Sequence, residues 1–256
     1  MFDQVRQIYA QSLKPQDRKS NVLLFRVLAA PVVLLCARLG ISPNQVTLSS
    51  LIPMVFGAAC WVMLPGSEGL WLGILFIECA YILDCVDGQL ARYTDRSSSV
   101  GAELDFLMDE VKALILIGSG WIRLHRAGDS DALLIGVLTL MVLAIAFALT
   151  RFVRHPIYAD ATGTTQRKHG TPPPSRGGLL GLIEWSFRFI AFYPESLPIT
   201  YLLACAVGGD LERGFALFLI LYGLVHLLYV AQLGFTLVWK FGVPRSQGTD
   251  SGDDSL

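Results

Sequence analysis

Between two long apolar runs, GLWLGILFIECAYIL and VKALILIGSGW, the chain carries five aspartates, four of them in two helically spaced pairs. Asp84 and Asp87 lie three positions apart, and Asp105 and Asp109 lie four apart. Either spacing sets two side chains on one helix face, one turn from each other. A carboxylate facing lipid costs roughly 3 kcal/mol on insertion scales. Four crowded together would also repel one another unless cations neutralised them. The feature therefore demands a helical membrane fold in which the two pairs meet around positive charge. Hard oxygen donors from aspartate suit Mg²⁺ or Mn²⁺ better than zinc, which prefers histidine and cysteine. Helix capping would explain one or two such residues near a helix start, but not two pairs with Gly88 and Arg92 between them.

Taken whole, the stretch reads Asp84-x-x-Asp87-Gly88-x-x-Ala91-Arg92, eight further residues, then Gly101-x-x-x-Asp105-x-x-x-Asp109. This resembles, without substitution or gap, the signature of the CDP-alcohol phosphotransferases (CDP-alcohol phosphatidyltransferases). A second segment, Pro43-Asn44-x-x-Thr47, is similar to the one that opens the first membrane helix in that family. The resemblance implies that Asp84, Asp87, Asp105 and Asp109 hold two divalent cations, Mg²⁺ or Mn²⁺, and that Asp109 also takes the proton of an acceptor hydroxyl. Asp87, Gly88, Ala91, Arg92 and Gly101 would surround the cytidine and its phosphates. The residue types fit those roles: small residues let a ligand approach a helix closely, and an arginine offers a planar fork to phosphate oxygens. The implied reaction takes a CDP-linked donor, CDP-diacylglycerol or a CDP-alcohol, and an acceptor alcohol. It releases CMP and makes a phosphodiester, a phospholipid when the donor is CDP-diacylglycerol. A homodimer is implied by the same likeness.

Composition agrees with a membrane protein. Of 256 residues, 53% are hydrophobic and 16% charged, with mean hydropathy +0.53, against about 25% charged in soluble domains. A net charge of −1 excludes the basic kind of nucleic-acid binder. The five cysteines (Cys36, Cys60, Cys79, Cys85 and Cys205) are scattered through apolar sequence without metal-ligand spacing and read as packing residues. The polar first twenty residues do not read as a signal peptide.

The sequence predicts an all-α integral membrane protein: six transmembrane helices preceded by an N-terminal interfacial amphipathic helix. Residues 1–19 form a polar segment and 20–241 the membrane domain. Segment 20–39 has Arg26 and Arg38 near its ends and is expected to lie on the membrane with its arginines snorkelling. Spans are expected at about 44–64, capped by Asn44 after Pro43, then 69–93, 101–124, 131–155, 179–208 and 213–241. The span at 179–208 is the least regular, because Pro194 and Pro198 interrupt it. The tail 242–256 is Ser/Gly/Asp-rich and expected to be disordered. Six spans put both termini on one side. Basic residues gather there, from Arg6 through Arg96, Arg151, Arg154 and Lys168 to Arg245, against Arg123, Arg126 and Arg213 opposite. The positive-inside rule makes that side, and the aspartates, cytoplasmic. A bacterial or archaeal cell membrane is the expected setting.

The acceptor end is less sharply marked. Arg151, Arg154 and His155 share a face at the cytoplasmic end of the fourth span and suit either an acceptor phosphate, such as that of glycerol phosphate or inositol phosphate, or a plain positive-inside anchor. Loop 159–178, with Arg167, Lys168 and Arg176, reads as a connector or a lid. Lys112 follows Asp109 by three and suits pairing with a carboxylate of the site, whereas Glu78 and Glu103 fall on other faces and His226 reads as a packing residue. Two other classes compete: an Asp-rich intramembrane prenyltransferase, which would carry two separate Asp-rich motifs, and a non-enzymatic ion carrier, which would spread carboxylates over depth and show inverted repeats.

Overall fold

The computed structural model describes residues 2–12, 21–155 and 211–241, together with isolated positions between 178 and 202. Loop 159–178 except Gly178, most of the expected span 179–208 and the tail 242–256 lie outside the described residues, as do Arg167, Lys168 and Arg176. Every regular element described is helical: α1 (Phe2–Ser12), a π-turn (Asn21–Phe25), α2 (Arg26–Arg38), α3 (Pro43–Ser49), α4 (Leu51–Met63), α5 (Gly66–Tyr93), α6 (Ser99–Arg126), α7 (Ala132–Arg154) and α8 (Leu211–Phe241).

Among the described residues, four helical stretches are long and apolar enough to cross a membrane: Pro43–Met63, Gly66–Tyr93, Ala132–Arg154 and Glu212–Phe235. They coincide with the expected first, second, fourth and sixth spans. The expected third span, α6, has the length, 28 residues, but not the apolarity. Its charges are accommodated by partners on other helices: Lys112 meets Asp84, Glu110 meets Arg151, and Arg123 meets Glu212. On α7, by contrast, Leu134, Val137, Leu138, Met141 and Ile145 are exposed, as a lipid-facing surface requires.

Three local readings are corrected. Ser42, not Asn44, caps the first span: its hydroxyl accepts from Gln45 N at 3.3 Å while Gln45 Oε1 accepts from Ser42 N at 2.8 Å. This reciprocal pair satisfies two otherwise orphaned donors and leaves Pro43 at the first helical position, where its missing N–H costs nothing. The span also does not run unbroken. It pauses at Ser50, because Pro53 has no N–H for the Ser49 carbonyl and its ring crowds that oxygen. The arginines of α2 part company as well. Arg38 is exposed and donates to Gln4 Oε1 of α1 at 2.8 Å, whereas Arg26 is buried rather than snorkelling.

The core joins Trp61 of α4, Leu70, Ile74 and Ile77 of α5, Leu116, Ile117 and Trp121 of α6, and Phe215 and Phe218 of α8. A second cluster ties α1 and α2 to the far half of α5 through Ile8, Ala29, Val33, Val86 and Leu90. Helices α3 and α4 pack against both α5 and α6. The α4–α5 contact depends on glycine. A Cβ on Gly73 would lie 2.2 Å from the Trp61 ring, and one on Gly57 would lie 2.8 Å from the Gly73 carbonyl. Trp61 has little freedom to yield, being fully buried with its Nε1 donating to Leu70 O at 3.2 Å. Gly73→Val is therefore expected to lower stability by about 2–3 kcal/mol, the usual cost of overpacking. It would be read as a depressed thermal midpoint of the purified protein in detergent; an unchanged midpoint would contradict the close packing described.

Candidate active site

Helix α5 ends and α6 begins at the same end of the bundle, joined by residues 94–98. The turn is short and well bonded. Thr94 N donates to Leu90 O and Arg96 N to Ala91 O, both at 2.9 Å, and Asp95 takes a positive φ of 54°. Ser98 caps α6, its hydroxyl accepting from Gly101 N at 3.0 Å. A side chain at Gly101 would press on that cap, since a Cβ would sit 3.1 Å from Ser98 Oγ and 3.2 Å from Asn44 Oδ1.

The hairpin brings three of the four aspartates together. Asp84, Asp105 and Asp109 each offer an oxygen, and these atoms all lie within 4.8 Å of one another. Behind them Lys112, fully buried, donates to Asp84 Oδ1 and forms an ion pair with Asp109 Oδ1 at 2.9 Å. Asp87 does not join this group. It is buried, and its Oδ2 accepts from Thr47 Oγ1 at 2.6 Å. It faces a neighbouring cavity of about 200 Å³ lined also by Asn44, Thr47, Gly88, Ala91, Arg92, Arg96, Ser98, Gly101 and Asp105. All five residues expected around a nucleotide thus border one cavity, and Asp105 borders both that cavity and the carboxylate group. The donor set is oxygen alone, the group lies beside an arginine-bearing cavity, and the spacing leaves room for an ion. The residues fit a hard divalent cation.

On its other side Asp109 borders a larger chamber of about 530 Å³ between α5, α6, α7 and α8. The chamber is mostly apolar, with Phe106, Ala113, Ala146, Phe147 and Tyr222 in its walls and Thr150, His226 and Gln232 as polar points. His226 packs as expected: its ring lies 4.4 Å from that of Tyr222, and its Nδ1 is 2.9 Å from the Tyr222 carbonyl. Arg151 and Arg154 each contact a residue of the chamber's wall, Glu110 and Phe106 respectively. Arg151 meets Glu110 Oε2 through both Nε and Nη2 at 2.9 Å, and the Arg154 guanidinium lies over the Phe106 ring at 4.3 Å. His155 is the exposed C-cap of α7. Glu110 was not foreseen, because its partner lies 41 positions away on another helix, beyond the reach of any spacing rule.

Thr47 links the first span to the site. Thr47→Val keeps the shape but removes the donor held by Asp87. It is expected to weaken about tenfold the binding of a ligand in that cavity, the value of one hydrogen bond to a charged group, read as a raised KM with a smaller change in kcat. An unaltered KM would show that the bond does not serve binding there.

A helical membrane protein with a carboxylate-lined site at one end of its bundle is the class these features define. The CDP-alcohol phosphatidyltransferase pattern matches residues 40–194, and the chain belongs to that family. It is also similar to a phosphatidylinositol phosphate synthase of Streptomyces avermitilis, 32% identical over 117 residues. That match spans 46% of this chain and 46% of the relative.

Proposed function

We propose that the protein transfers a substituted phosphate group from a CDP-linked donor, CDP-diacylglycerol or a CDP-alcohol, to the hydroxyl of an acceptor alcohol, releasing CMP, as a step of phospholipid synthesis. One observation carries the reading: Asp105 belongs both to the three-carboxylate group and to the cavity lined by Asp87, Gly88, Ala91, Arg92 and Gly101. A nucleotide diphosphate in that cavity would lay its phosphates against the carboxylates.

In this scheme Asp84, Asp105 and Asp109 hold divalent cations, Mg²⁺ or Mn²⁺, with Asp87 completing the set from the cavity side. Bound there, two such cations would neutralise the diphosphate and stabilise the leaving phosphate. The chain's own residues supply the rest. Arg92 holds phosphate oxygens, and Gly88, Ala91 and Gly101 keep the wall thin. Asp109 stands between the carboxylate group and the large chamber, so an acceptor arriving through the chamber meets it first. Asp109 accepts the hydroxyl proton, the acceptor oxygen bonds to the phosphorus distal to cytidine, and the bond from that phosphorus to the CMP oxygen breaks. Positioning and charge stabilisation carry most of such a transfer.

The acceptor in this reading is a phosphorylated polyol, such as inositol phosphate or glycerol phosphate. Arg151, Arg154 and His155 would receive its phosphate, with Arg151 sharing itself between phosphate and Glu110. The name of the Streptomyces relative points the same way. We further propose six spans, with α6 and 179–208 completing the four apolar ones, and the π-turn and α2 lying on the membrane surface with Leu24, Val27, Leu28 and Leu35 outward. The site and both termini then face the cytoplasm, and the protein works as a homodimer.

The test is CMP release from CDP-diacylglycerol in detergent with Mg²⁺ or Mn²⁺, across inositol phosphate, glycerol phosphate, serine, inositol and choline. Release with a phosphorylated polyol alone supports the whole reading. Release only with an unphosphorylated alcohol overturns the acceptor assignment, and no release with any CDP donor and acceptor overturns the reaction.

A further inference from the structure

We propose that Lys112 is a positioning residue of the carboxylate group, a resident counter-cation that ties Asp84 of α5 to Asp109 of α6. The inference rests on the metal-site reading above and goes beyond it, because it assigns a role to a residue outside the eight-residue signature.

Three observations carry it. The first is direction: the Lys112 side chain is 0% exposed, whereas those of Asp84 and Asp109 are 18% and 55% exposed. The ammonium therefore reaches the carboxylates from the core, and their accessible side is left to a ligand. The second is connection. Asp84 and Asp109 sit on different helices, and Lys112 contacts Oδ1 of both, so one cation sets the separation of two groups that would otherwise repel. The third is location: Lys112 follows Asp109 by one helical turn, so its stem is anchored by the helix that carries two of the three clustered carboxylates.

The charge has a second consequence. A positive group beside these carboxylates repels any further cation they hold, and repulsion is strong at such range away from bulk water. Lys112 thus weakens divalent-ion binding while holding the carboxylates in place. Its removal should separate the two effects, tightening ion binding while slowing turnover. Loss of general structural integrity would do the reverse to binding.

The experiment titrates Mn²⁺ alone into the detergent-solubilised full chain and follows free Mn²⁺ by electron paramagnetic resonance, with no nucleotide present. Lys112→Met and Lys112→Gln are compared with the parent after size-exclusion confirms folding. Should the apolar variant fail to fold, Lys112→Gln, which keeps one donor, carries the comparison. Half-saturating Mn²⁺ is expected to fall about tenfold, and kcat at saturating metal to fall at least tenfold. Folded variants whose half-saturation is unchanged or raised, beside a parent that binds Mn²⁺, overturn the role of Lys112 alone. A parent that binds no Mn²⁺ overturns the metal site and this inference together.

Discussion

Asp109→Asn is expected to reduce CMP release by at least about 10³-fold while leaving the protein folded. Three functions converge on this carboxylate. It is one of three whose oxygens lie within 4.8 Å, it pairs with Lys112 at 2.9 Å, and it borders the large chamber. The amide is nearly isosteric and still offers an oxygen to Lys112, so packing should survive. It cannot accept a proton at neutral pH, and loss of a general base alone costs roughly 10²–10⁴-fold. It is also a poorer ligand for a divalent cation. Such losses do not add simply when residues act as a unit, so the lower bound is the useful figure. Asp109→Glu, which keeps the charge but displaces it by one methylene, should retain more activity than Asp109→Asn. Steady-state release of CMP from a CDP-linked donor, normalised to folded protein, measures both. Activity of Asp109→Asn within tenfold of the parent would remove Asp109 as the base.

The four aspartates were legible in sequence because helical spacing is a local property. Carboxylates three or four positions apart share a face wherever the helix goes, and Asp84, Asp105 and Asp109 do converge. Spacing was silent on which neighbour each would choose. Asp87 is drawn to Thr47, 40 positions earlier, and no local rule connects them. The pairing of Lys112 with a carboxylate was expected from its place one turn after Asp109, but its bridge to Asp84 needed the packing of two helices. Span positions were readable from hydropathy for the four apolar stretches. Hydropathy has less purchase on α6, whose charges are neutralised by residues elsewhere in the fold. Small boundary errors had similar roots. Asn44 and Ser42 are both good caps by type; the side chain of Gln45, three residues after Ser42, decided between them. Arg26 looked like a snorkelling residue because it sits near the end of an apolar run; it is buried in a helix that packs against α1 and α5, which no local pattern shows.

Arg123→Met is expected to cost the fold on the order of 3 kcal/mol, the usual loss when one partner of a buried ion pair is removed. Arg123 sits 14 positions beyond Asp109 on α6, about 21 Å along the helix, and is buried. Its guanidinium closes the end of the bundle remote from the aspartates. Nη1 donates to Trp61 O at 3.1 Å and Leu64 O at 2.9 Å, and Nη2 to Gly66 O at 2.7 Å. Nη2 and Nε also meet the two Glu212 oxygens at 2.6 and 3.2 Å. One side chain therefore satisfies carbonyls at the end of α4 that have no partner within their own helix, and anchors the start of α8. Methionine would fill part of the volume but take the donor from the Trp61 and Leu64 carbonyls and the guanidinium from Glu212. Glu212→Gln should cost less, about 1 kcal/mol, because Glu212 is a third exposed and the amide still accepts one bond. Arg123→Met combined with Glu212→Met should recover part of the loss, since no carboxylate then faces a position that has lost its guanidinium. Thermal midpoints in detergent give the order, and CMP release per folded molecule should stay near the parent value in all three, because the clasp is remote from the chemistry. A midpoint for Arg123→Met within about 2 °C of the parent, well under the shift such a loss implies for a chain of this size, would mean that the clasp does not hold the helices together. A fall in activity without loss of stability would mean that the remote end of α6 communicates with the aspartates.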